Sequence, residues 1–220
     1  MPTVFITGAN RGIGLAFAQS YAASGWRVLA ACRASANADE LNAVKGDIAV
    51  CALEVTDEAQ LAALAKTLKN DSIDVLINNA GVGGDESTEG WLRTLHINSI
   101  APIRIAQALL PMLARSERKL VVSISSGMGS IADNTSGGSY AYRSSKAALN
   151  AAMKSLSLDL AKRGVSVILL NPGWVKTDMG GAGGRLTAAD SVAHMRKVID
   201  SVGPAGSGRF FNHDGREYPW

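Results

Sequence analysis

Thr3-Val4-Phe5-Ile6-Thr7-Gly8-Ala9-Asn10-Arg11-Gly12-Ile13-Gly14 is the stretch on which the fold turns. Residues 3–7 are all β-branched or aromatic, so they read as a strand. Residues 11–24 carry a helical pattern and end at Gly25, a residue suited to closing a helix. Three glycines therefore lie at a strand-to-helix turn. Glycine there lets the backbone approach a phosphate, and the helix amino end attracts negative charge. The spacing is Gly-x3-Gly-x-Gly, not the Gly-x-Gly-x2-Gly of the general dinucleotide fingerprint. It also lacks the Gly-Lys-Ser/Thr of a nucleoside triphosphate loop.

Outward from this turn, short apolar runs alternate with longer helical ones. Strands are expected at 27–31, 48–55, 73–77, 120–124, 165–170 and 208–212. Helices are expected at 37–44, 56–68, 89–115, 140–162 and 187–202, with Pro102 kinking or breaking the third of these. Thr187 and Asp190 are spaced as a helix cap and its partner. Such alternation implies an α/β fold with a parallel sheet covered on both faces. No repeat, low-complexity tract or linker divides the chain, so residues 1–220 read as one domain. The glycine-rich run 180–184 suggests a mobile flap near 178–188.

Composition removes several classes of function. The chain has 220 residues, 47% of them hydrophobic and 19% charged, as in an ordinary soluble domain. Net charge is only +3, and the basic residues are scattered without a stripe or reading motif, so no nucleic-acid partner is expected. No run approaches the roughly 18 apolar residues of a membrane span. Nor does a basic head followed by an apolar segment open the chain as a secretory signal would. Cys32 and Cys51 sit in apolar strand-like runs and read as free thiols, which favours the cytoplasm. No metal site is expected.

The chemistry concentrates near Ser139-Tyr140-Ala141-Tyr142-Arg143-Ser144-Ser145-Lys146, at the front of a helix. Side chains four apart share a helix face, so Tyr142 and Lys146 project together. A free tyrosine titrates near ~10; bringing it to neutrality needs about 4 kcal/mol of extra stabilisation of the phenolate, which a nearby cation favours. Tyr140 points elsewhere. Upstream, strand 120–124 ends at Ser125-Ser126-Gly127, where a serine hydroxyl can meet a substrate oxygen; strand alternation does not choose between the two serines. About twenty residues past the glycine loop, where an acid would hold the ribose of NAD, the chain has Arg33. Arg33 and Arg11 suit a 2′-phosphate, so NADP(H) is expected over NAD(H).

With Asn78-Asn79-Ala80-Gly81, Asn98 and Asn171-Pro172-Gly173, these motifs resemble the short-chain dehydrogenase/reductase family, in order and over essentially the whole chain. The stretches around Tyr142 and Asn171 look most like its sniffer/C-factor-type carbonyl reductases. The resemblance implies a single-domain Rossmann fold, doubly wound, with about seven strands. It implies an NADP(H)-dependent oxidoreductase for a small carbonyl or alcohol. Tyr142 would be the acid/base, and Lys146 would lower its pKa while gripping the nicotinamide ribose. Ser126 rather than Ser125 would orient the carbonyl, and Asn98, at a helix distortion, would hold a water linked to Lys146. Cofactor contacts are implied for Gly8, Asn10, Arg11, Gly12, Ile13, Arg33, Val55, Asn79, Ala80, Gly81, Pro172, Gly173, Val175 and Thr177. Glu54 stands where the family has aspartate beside the adenine. A substrate pocket is expected among residues 82–84, 128–136, Trp174 and Leu186. Family members often form homodimers or homotetramers through two long helices, here 89–115 and 140–162. His96 reads as an ordinary surface or core histidine. The alternative on the same fold is a non-enzymatic NADP-binding regulatory or signalling protein.

Overall fold

The computed structural model describes residues 1–33 and 38–220. In chain order it contains β1 (Thr3–Thr7), α1 (Gly12–Ala23), β2 (Arg27–Cys32), α2 (Asp39–Asn42), β3 (Ile48–Ala52), α3 (Glu58–Thr67) and β4 (Val75–Asn78). There follow α4 (Thr88–Leu95), a π-helical turn (His96–Ile100), α5 (Ala101–Ala108), α6 (Leu110–Arg115) and β5 (Leu120–Ile124). A 3₁₀ turn (Gly127–Gly129), α7 (Tyr140–Ala161), β6 (Ser166–Asn171), α8 (Ala188–Ser201), a second 3₁₀ turn (Pro204–Gly206) and β7 (Phe210–Asn212) complete the chain.

The seven strands form one parallel sheet in the order β3-β2-β1-β4-β5-β6-β7. Strands buried on both faces read as continuous apolar runs, and β1, β4 and β5 are buried throughout. Successive side chains still go to opposite faces. Val4 and Ile6 pack toward α1 and α8 with Phe17, Tyr21, Met195 and Ile199. Phe5 packs on the other face with Ile105, Met112, Leu149 and Met153, from α5, α6 and α7. Each such side chain, when fully buried, contributes about 1.5–3 kcal/mol. Met153 therefore belongs to the core, not to the outer face of α7, where Leu158 is exposed.

Most expected boundaries shift by a residue or two. Strand 48–55 stops at Ala52, because Asp57 turns the chain by accepting the backbone N–H groups of Ala59 and Gln60 at 2.9 Å each as the cap of α3. The helix expected at 37–44 is only Asp39–Asn42; Asn37 lies outside the described residues. The long helix 89–115 is interrupted twice. Its π-helical turn lies just before Pro102, and a second break at Leu109 precedes Pro111. Among the described residues no helix is long and apolar enough to cross a membrane. Both cysteines are free, Cys32 buried and Cys51 half-buried.

Candidate active site

The strand order reverses between β1 and β4, and in an open parallel sheet the crevice beyond the strand ends at that point receives the ligand. Two loops meet there. The Thr7 hydroxyl accepts the N–H groups of Asn79 and Ala80, both at 3.0 Å. The Asn79 side-chain amide donates back to the carbonyls of Thr7 and Gly8, at 3.0 and 3.1 Å. Gly8 and Gly12 have φ of +64° and +54°, conformations that disfavour any residue with a Cβ. A Cβ at Gly14 would overlap the Gly8 carbonyl. Helix α1 has no side-chain cap and no acid in its first turn, so its amino end presents unpaired N–H groups to the crevice. These features fit a dinucleotide phosphate.

Two arginine–acid pairs lie around this crevice. Arg11 forms an exposed ion pair with Asp178 at 2.7 Å. Arg33 faces Glu54 at 4.0 Å, while the other oxygen of Glu54 accepts the N–H and hydroxyl of Thr56 at 3.4 and 3.2 Å. Thr177 approaches Gly12, and its hydroxyl accepts the N–H of Gly180 at 3.1 Å. The glycine-rich run is stitched back onto the preceding segment. The Leu186 N–H donates to the Trp174 carbonyl at 3.1 Å and the Lys176 N–H to the Leu186 carbonyl at 2.8 Å, and the Trp174 indole donates to the Gly180 carbonyl at 2.8 Å. Val175 is buried in this bridge beside Leu186. The Pro172 carbonyl accepts the Ser191 hydroxyl at 2.7 Å, and Gly173, at φ +77°, lies against His213 and Leu186.

Across the crevice stands α7. Tyr142 and Lys146 share a face, with the Lys146 ammonium 5.9 Å from the phenol ring centre. Lys146 is buried, and its Nζ donates to the Ile124 carbonyl at 2.9 Å. Burial pulls its pKa down to about 8. Burial likewise pushes the Tyr142 phenol above its ordinary value, opposed by a hydrogen bond with Ser126. Lys146 does not oppose that rise, because its ammonium is turned to the Ile124 carbonyl. Ser125 points into α7, where its hydroxyl donates to Asn150 Oδ1 at 2.6 Å. Ser126 is left at the crevice, accepting the Met128 N–H at 3.2 Å and facing the Tyr142 phenol.

Asn98 lies buried within the π-helical turn. Its carboxamide accepts the Val82 N–H and donates to the Val82 carbonyl, both at 2.9 Å, and donates to the Ser145 hydroxyl at 3.0 Å. It therefore braces the loop after β4 against α7. A Cβ at Gly81 would lie 3.2 Å from Asn98 Oδ1 and 3.7 Å from Lys146 Nζ, so this loop passes close over the lysine. A Cβ at Gly84 would lie 3.2 Å from the Tyr142 Cβ. His96 is exposed. Two further groups had no local sequence signal: Glu86, whose carboxylate accepts the Ala141 N–H at 3.3 Å, and the stacked His194–His213 pair behind Gly173, with Nδ1 atoms 3.3 Å apart.

Comparison with known proteins bears on what this crevice does. A family profile described as short chain dehydrogenase matches residues 2–185. C-signal of Myxococcus xanthus is 48% identical over 166 residues, covering 73% of this chain and 100% of that protein. The carbonyl reductase Sniffer of Drosophila melanogaster superposes with a TM-score of 0.94 at 34% identity over 100% of both chains. An NADPH-bound carbonyl reductase from chicken fatty liver gives a TM-score of 0.91 at 34% identity, covering 100% of this chain and 99% of that one.

Proposed function

This chain belongs to the short-chain dehydrogenase family, and from that footing we propose that it is an NADP(H)-dependent oxidoreductase interconverting a small carbonyl compound and its alcohol. The observation that carries the reading is the convergence of Tyr142, Ser126 and Lys146 on the crevice opposite the glycine loop. The NADP-bound neighbour supports the choice of cofactor.

When bound, the nicotinamide supplies or accepts the hydride. The chain supplies orientation and a proton. Ser126 turns its hydroxyl hydrogen from the Tyr142 phenol to the carbonyl oxygen and holds that oxygen beside Tyr142. Tyr142 gives its phenolic proton to that oxygen in reduction and takes it back in oxidation. Because burial keeps the phenol protonated at neutral pH, the form that reduction consumes is the one at hand. Lys146 binds the ribose hydroxyls, and its charge favours the phenolate left after transfer. Asn98 holds the wall between them in register. The glycine loop and the amino end of α1 receive the pyrophosphate, with Arg33 and Arg11 on the 2′-phosphate side. Pro172, Gly173, Val175 and Thr177 line the nicotinamide end. The exposed Trp174 and Met179 give the mouth an apolar rim, which suits an uncharged aldehyde or ketone.

One functional domain over residues 1–220, a mobile 178–188 flap, a cytoplasmic setting and pairing of copies through α4–α5 and α7 belong to the same reading. Exposed Leu92, Ile100 and Leu158 on those helices support the pairing. The test is Tyr142→Phe, assayed by NADPH consumption over a panel of aldehydes, ketones and diketones. General acid catalysis is worth ~10²–10⁴-fold, so kcat should fall by about that factor while NADPH affinity holds. A phenylalanine variant as fast as the parent would exclude the mechanism. Tight NADPH binding by the parent without turnover of any carbonyl would instead favour the regulatory alternative.

A further inference from the structure

The turn that carries Ser126 has little to hold it by itself. Ser126 is followed by Gly127-Met128-Gly129, and glycine on both sides of Met128 leaves the backbone many alternatives. The loop beyond, 131–140, is exposed at every residue. Yet the turn is fixed on two sides. On one, Gly129 lies so near α7 that a Cβ there would fall 2.7 Å from the Lys146 Cβ. On the other, the Gly127 N–H donates to Asn171 Oδ1 at 3.0 Å, and a Cβ at Gly127 would fall 2.7 Å from the Tyr218 hydroxyl.

Tyr218 is itself anchored. Its N–H donates to the Phe210 carbonyl at 2.7 Å, and its ring packs on the Phe210 ring with centres 5.2 Å apart. Its hydroxyl donates to Asp133 Oδ2 at 2.7 Å. Next to it, the Trp220 main-chain oxygen accepts the Ser130 hydroxyl at 3.0 Å and the Ala132 N–H at 2.9 Å. The Trp220 ring also rests on Phe210, with centres 5.9 Å apart. Burial and the Asp133 carboxylate push the phenol pKa up to about 12, so Tyr218 remains a donor across the physiological range.

We propose that Tyr218, tethered to Asp133, is a positioning residue that sets the Ser126 hydroxyl against the substrate oxygen. The contact spans 85 residues of sequence, and Tyr218 meets the turn at Gly127 while Lys146 meets it at Gly129. Loss of the tether lets the Gly127 backbone relax toward the space under the phenol and swings Ser126 off line. Misplacement of about 1 Å in such a group costs up to ~10²-fold in rate. The inference rests on the functional reading above, since it gives Ser126 the carbonyl.

The experiment is a double-mutant cycle in the full-length chain, with NADPH and a small aliphatic aldehyde. Tyr218→Phe and Asp133→Ala should each lower kcat about tenfold, with aldehyde KM and NADPH affinity unchanged and the thermal midpoint lowered by no more than a few degrees. In a Ser126→Ala background, already slow, neither should cost anything more, because the group they position is gone. Full kcat in both tether variants overturns the inference, as does a tenfold loss that persists without the serine. If Tyr218→Phe does not fold, Asp133→Ala carries the same cycle. A Ser126→Ala enzyme as fast as the parent overturns the role of Ser126 itself and this inference with it. A slow Ser126→Ala enzyme that the tether variants slow further overturns only the inference.

Discussion

Arg33 and Glu54 face each other at 4.0 Å near the end of β2, with side chains 62% and 35% exposed. An exposed pair at that distance is worth about 0–1 kcal/mol, so it keeps Arg33 in the neighbourhood without locking it. On the proposed reading, a 2′-phosphate would offer the guanidinium a doubly charged, bidentate partner and would win that competition. The same carboxylate then repels the phosphate. Arg33→Ala should therefore raise the NADPH dissociation constant about tenfold or more while moving that of NADH within about twofold. Glu54→Gln keeps an acceptor for Thr56 and removes the repulsion, so it should tighten NADPH by roughly two- to fivefold, an effect that salt diminishes. Fluorescence titration with both cofactors measures each. Equal losses for NADPH and NADH in the alanine variant would take Arg33 out of the 2′-phosphate site. At this scale the residue types were legible in the sequence, but their pairing was not: β2 and β3 had first to be set side by side.

Helix α7 shows the same division between what is local and what is not. Its length, its end before Gly164 and the shared face of Tyr142 and Lys146 follow from periodicity and a glycine at φ +69°. Its beginning does not. Ser139 has a left-handed backbone at φ 49°, makes no side-chain cap, and is followed by no acid in the first turn. The missing anion comes from Glu86, 55 residues earlier, whose carboxylate oxygens lie 3.3 and 3.4 Å from the Ala141 N–H. An acid at a helix amino end stabilises by about 0.3–1 kcal/mol. Glu86→Ala should lower the unfolding free energy by about that much in a urea titration, and Glu86→Gln, which keeps an acceptor but no charge, by less. No loss in either variant would remove Glu86 as the cap. The sheet was readable because β-branched runs and turn glycines act within a few residues. The Ser125–Asn150 bond, the Glu86 cap and the Tyr218–Asp133 tether join residues 25 to 85 apart, and nothing in the local pattern announces them. The π-helical turn is a similar case: Pro102 signalled a break, whereas the break's form depends on Asn98 reaching Val82.

For the molecule as a whole, Lys146 carries a substantial cost. The sheet and α7 bury its ammonium against the Ile124 carbonyl, and burial draws its pKa from 10.5 to about 8. At neutral pH the folded chain therefore holds a charge that the unfolded chain carries more easily, a penalty of about 3 kcal/mol. That is roughly a fifth to three-fifths of a domain's net stability of about 5–15 kcal/mol, and it is given up at the proposed active site. Lys146→Met keeps the apolar stem, removes the charge and leaves the Ile124 carbonyl without this donor, which returns about 1–3 kcal/mol of cost. The variant without cofactor should be up to about 2 kcal/mol more stable than the parent at pH 7, and slow in turnover. The pH dependence fixes the cause. With the folded pKa below the unfolded one, the parent recovers stability as pH rises from about 8 toward 10.5, because the unfolded chain binds the proton more tightly over that window. The advantage of Lys146→Met should therefore be largest below pH 8 and fade above it, as read from urea unfolding of both proteins across that range. A methionine variant that is less stable than the parent at pH 7, or whose advantage does not change with pH, would mean that the buried ammonium is fully compensated by its surroundings.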